Sequence, residues 1–135
     1  MTREIRTSGA TLSDVFARAA VAILGETVDP GAAMEEHETR EVRAHGDTAE
    51  ALLAHFLNEC LYVLDVEGFV WNRVEFAVLD ASARAGAEPM RLHAFLHGLA
   101  LEPGRERDVD PIAPVDAGAV TLRRTDDGYD VVIAS

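Results

Sequence analysis

The chain has 135 residues, 48% of them hydrophobic, with a mean hydropathy of +0.02. Such values suit one globular domain over 1–135 and leave no apolar run near the roughly 18 residues of a membrane span. The formal net charge is −12, from 24 acids against 12 arginines and no lysine, which argues against a large phosphate-binding footprint of its own.

Residues 3–8 suit a short first strand, closed by Gly9. Thr11 then starts a helix, with Asp14 three residues on as an acidic form of the capping box. Leu12, Val15, Phe16, Ala19, Ala20, Ile23 and Leu24 recur at helical spacing, and Gly25 stops the run. Asp29-Pro30-Gly31 marks a loop. A polar stretch follows, with a strand expected over 38–44. Asp47 and Glu50 bracket the start of a second helix. Its Leu52, Leu53, Phe56, Leu57, Cys60, Leu61 and Leu64 form a wide apolar face, and Gly68 ends it.

From Phe69 to Leu79 the pattern turns to alternation, with Val74, Phe76 and Val78 on one face of a half-buried strand. Residues 81–87 read as a hairpin loop. Met90, Leu92, Ala94 and Leu96 alternate again, and 99–111 read as a charged loop. Two last strands, over 120–124 and 129–134, flank Asp126-Asp127-Gly128, a hairpin signal. The order β-α-β-α followed by a run of strands predicts an α+β domain with a largely antiparallel sheet and two main helices.

Phe56-Leu57-Asn58-Glu59-Cys60-Leu61-Tyr62-Val63-Leu64-Asp65-Val66-Glu67-Gly68-Phe69-Val70 resembles the central motif of the archease family. Residues 5–16, from Ile5-Arg6-Thr7-Ser8-Gly9-Ala10-Thr11-Leu12 through Phe16, resemble that family's first strand and helix start. The resemblance implies an α+β fold and a place beside the RtcB-type RNA ligase of tRNA splicing and RNA repair. The implied role is an accessory protein, not an enzyme, promoting guanylylation of the ligase with GTP; RNA would be met only through the ligase.

The resemblance also implies a divalent-metal site, for Ca²⁺ or Mg²⁺, built from acids near both chain ends. Here the chain departs from the family. One family aspartate position falls at Thr2 and the other just beyond Ser135, so matching positions do not rebuild the site. The family's lysine-alanine-valine-threonine strand corresponds to Ala113-Pro114-Val115-Asp116, without the lysine. A family histidine corresponds to Glu106.

Asn58 and Glu59, polar residues amid the apolar face of the second helix, are candidates for a shared site or for capping a neighbouring loop. Asp65 and Glu67 oppose the dipole at that helix's C-terminus and are candidates for a metal or a partner, or solvated acids. Glu102, Glu106, Asp108, Asp110 and Asp116, with Arg105 and Arg107 between them, make an acidic loop that is either suited to a basic ligase surface or simply solvated. Glu35, Glu36, His37 and Glu38 read as a solvated run, since adjacent residues do not converge on one ion. His93 and His97 on a strand share a face but lie too far apart for one metal. Cys60 reads as a core residue, and as the single cysteine it excludes an intramolecular disulfide. No nucleophile–base pair, phosphate-cradling glycine loop or zinc motif is present. Met1-Thr2-Arg3-Glu4-Ile5-Arg6 lacks the apolar stretch of a signal peptide, so a cytoplasmic protein is expected. The runner-up function is an interaction module that keeps the fold without the metal site or the activator role.

Overall fold

The computed structural model describes residues 4–25, 38–80, 90–100 and 115–134. Its elements run β1 (Glu4–Gly9), α1 (Leu12–Gly25), β2 (Glu38–Gly46), α2 (Ala49–Glu67), β3 (Phe69–Asp80), β4 (Met90–Ala100), a 3-10 turn (Ala117–Ala119), β5 (Val120–Thr125) and β6 (Gly128–Ala134). The α+β class with antiparallel pairing holds. The strands form two three-stranded sheets, in the orders β1-β6-β5 and β2-β4-β3. The expected loops at 29–31, 81–87 and 101–111 lie outside the described residues.

Local chemistry sets most boundaries. Thr11 caps α1, its Oγ1 accepting from the Asp14 backbone N–H at 3.1 Å. At α2 the cap is Thr48, which accepts from Ala51 N at 3.1 Å, and not Asp47 as the spacing with Glu50 predicts. Both residue types can cap, and the extended backbone of Thr48 aims its side chain at the first turn. Gly68 ends α2 in the left-handed region at φ 63, donating to Leu64 O. The charged loop predicted from residue 99 starts too early, because Leu99 and Ala100 pair with Val70 and Phe69 and extend β4.

Both helices touch both sheets: α1 packs on β1, β6 and β3, and α2 on β2, β4, β3 and β5. One continuous core results, from Ile5, Val131 and Ile133 on one side to Val42, Leu92 and Leu96 on the other. Phe16, Phe56 and Phe76 meet in it, with centroids 5.5–6.5 Å apart. The single tryptophan, Trp71, is fully buried and donates its Nε1–H to Ala20 O at 3.1 Å, tying β3 to α1. At Gly98 a side chain would run into the Val70 carbonyl, so β4 and β3 approach there as only glycine allows.

One strand assignment needs correction. Val74 and Phe76 pack against the core, but Val78 does not. A bulge between Phe76 and Val78 shifts the register, so that Val78 pairs with His93 and Leu79 with Leu92. The extra residue flips the side-chain alternation. Val78 therefore sits on the outer face, 39% exposed, and Leu79 takes the inward position. A second shift, between Trp71 and Arg73, leaves Asn72 out of the ladder.

Candidate functional site

Helix α2 carries the motif, and Asn58 ties it to the segment before the 3-10 turn. The Asn58 side-chain amide donates through Nδ2 to Val115 O at 2.8 Å and accepts through Oδ1 from Val115 N at 2.6 Å. It thus pairs with Val115 as another strand would, satisfying both backbone groups of a buried residue. The next residue, Asp116, is exposed and caps the 3-10 turn, its Oδ1 accepting from Gly118 N at 3.0 Å. Asn58 and Asp116 are therefore neighbours, joined through Val115. The loop-capping alternative for Asn58 is the one the geometry realises.

The other candidates do not join them. Glu59 points outward and meets His55 one turn earlier, at 3.3 Å. Asp65 is exposed near the C-terminus of α2. Glu67 accepts from Arg40 Nε of β2 at 2.9 Å; Arg40 also reaches Glu38 at 3.4 Å and lies 4.8 Å from the Phe69 ring centre. The Glu67 carboxylate, with Glu38, holds the Arg40 guanidinium above its ordinary value, against the lowering effect of burial. Glu67 thus latches α2 to β2. No spacing rule links residues 40 and 67, so sequence reasoning missed Arg40.

Glu106, Thr2, Ser135, Glu35, Glu36, His37, Glu102, Asp108 and Asp110 lie outside the described residues. Glu38 is described, bonding Arg40 and accepting from Ala100 N at 3.1 Å. Cys60 is fully buried, and loss of hydration pushes its thiol well above the usual range, helped by nearby Glu59. His93 and His97 share the outer face of β4 and meet different carboxylates, Glu41 and Glu75, each at 3.0 Å. Among the described residues no three His, Cys, Asp or Glu side chains converge to hold a metal ion. Among them, too, no helix is long and apolar enough to cross a membrane.

Two sheets bridged by two helices, with a motif helix that grips the segment before the last hairpin, define a fold already known. The solution structure of Methanobacterium thermoautotrophicum protein 1598 superposes with a TM-score of 0.66, covering 98% of this chain and 90% of that one, at 21% identity. Residues 3–133 match the Archease protein family (MTH1598/TM1083), and the chain belongs to that family. Protein archease of Pyrococcus abyssi is 28% identical over 124 residues, 92% of this chain and 83% of its own length. Protein archease-like of Drosophila melanogaster is 31% identical over 90 residues, 62% of this chain and 57% of its own length.

Proposed function

We propose that this chain is an accessory protein of an RtcB-type RNA ligase, promoting its guanylylation and turnover in tRNA splicing or RNA repair, and that it is not itself an enzyme. The reading rests on membership of the archease family across nearly the whole chain. The attachment of the motif helix to Val115 supports it, because that contact fixes where the segment after residue 114 enters the C-terminal sheet. The acidic surface is compatible with a basic protein partner and opposes direct RNA binding. A cytoplasmic location goes with this role.

A divalent ion, Ca²⁺ or Mg²⁺, belongs to the same expectation. The pairing of Glu4 with Ala134 sets the start of β1 beside the end of β6, so carboxylates in those two neighbourhoods would lie close together. Position 2, however, is threonine. The described residues offer no ligand set that fits a hard cation, which needs several oxygens.

The test is guanylylation of the ligase by GTP with substoichiometric amounts of this protein. Stimulation is the expected result. Binding to the ligase by a folded chain without any stimulation would refute the activator role and favour the diverged interaction module.

A further inference from the structure

The outer face of β2-β4-β3 carries a group of basic residues at odds with the rest of this acidic protein. The register pairs His45 with Arg91, and Arg43 with His93, side by side on that face. Val78 of β3 adjoins His93, and His55 of α2 closes the end. Together they line a concave groove of about 750 Å³, within the size range of small-ligand sites. Among the described residues its polar lining is arginine and histidine, although acids outnumber arginines 24 to 12 in the chain, and the nearest carboxylate, Glu41, reaches two of them, Arg43 and His93.

The partners of these groups decide what is free. Glu41 takes Arg43 at 2.9 Å and stands 3.0 Å from His93 Nε2. That nitrogen is enclosed and not aligned for a hydrogen bond. His55 is occupied at both nitrogens: Nδ1 lies 3.0 Å from the backbone N and O of His45, and Nε2 lies 3.3 Å from Glu59. Among the described residues the His45 ring makes no hydrogen bond and Arg91 no ion pair; Asp80 faces Arg91 directly across the ladder. Arg91 thus keeps guanidinium N–H donors that an anion can take, with the His45 imidazole directly opposite across the ladder.

We infer that this groove binds a short oligophosphate anion, held between Arg91 and His45 with Arg43 behind them. Guanidinium matches phosphate oxygens with paired N–H donors. The concave shape and the surrounding negative charge favour a short anion over a long polyanion, which the rest of the surface would repel. The inference is independent of the ligase reading.

The test is a titration of the full chain with inorganic tripolyphosphate at low salt, followed by amide NMR shifts, with sodium chloride of equal ionic strength as the control. Saturable shifts confined to residues 43–45, 78 and 91–93 are expected. Arg91→Gln should weaken binding about tenfold, the loss of one charge-assisted contact. Glu41→Gln should tighten it by releasing Arg43, a gain that a misfolded variant could not produce. Absence of saturation at millimolar tripolyphosphate, shifts centred elsewhere, or equal binding by Arg91→Gln would overturn the inference. So would tighter binding of a single-stranded oligonucleotide with shifts spread beyond the groove.

Discussion

Replacing Asn58 by alanine removes both hydrogen bonds to Val115 and leaves that residue's N–H and C=O without partners. The site is only part-buried, so water recovers some of the loss. Two lost bonds, each with a partly stranded backbone group, sum to about 2–4 kcal/mol. For a domain of this size that lowers the melting temperature by about 10 °C. Buried Trp71, the single tryptophan, reports global unfolding by fluorescence in urea. Amide exchange at Val115 reports the local effect and should accelerate more than the global change explains. Asn58→Asp is the control for pairing: its carboxylate still accepts from Val115 N but sets a negative charge against Val115 O. It should be at least as unstable as the alanine variant. The reasoning fails if Asn58→Ala costs under about 0.5 kcal/mol and Val115 exchange is unchanged, since the pair would then be dispensable.

Thr48→Ala should cost about 1 kcal/mol through loss of the α2 cap, while Asp47→Ala leaves the urea midpoint unmoved; the reverse order would restore Asp47 as the cap. Gly68→Ala should cost about 1 kcal/mol, because the left-handed turn disfavours a Cβ, and an unchanged midpoint would contradict that geometry. Buried Cys60 should resist thiol reagents in the native chain and react on unfolding. Its thiol stays protonated when folded but ionises above about pH 8.5 once unfolded. The stability it contributes is therefore full below that pH and lost as pH rises; Cys60→Ala should flatten this decline, and an equal decline in both proteins would place its origin elsewhere. Among the described residues no side-chain set converges on a metal ion, so a clear rise in melting temperature with millimolar Ca²⁺, reversed by chelator, would place its ligands outside them.

Much of the architecture was legible from pattern. The apolar stripes of α1 and α2 and the Asp126-Asp127-Gly128 turn between β5 and β6 follow from periodicities and local turn chemistry acting within a few residues. The motif around Asn58 was equally legible, and with it the family. Pairing was not. Nothing local says that β2 lies beside β4, or that the strands split into two sheets, because these choices depend on which apolar faces meet across the whole chain. The bulge that turns Val78 outward is equally invisible, since one extra residue inverts a face without altering the composition of the strand.

The functional candidates divide along the same line. The sequence alone determined that Asn58 is a polar residue on an apolar helix face. Only the tertiary structure decided that it grips Val115, 57 residues away, while Glu59 and Glu67 turn to His55 and Arg40. Likewise Arg43, His45, Arg91 and His93 are scattered residues of two strands until antiparallel register sets them side by side. Helix formation and capping draw on neighbours within about four residues, so sequence carries them. Partners drawn from distant elements exist only once the shared core has brought those elements together.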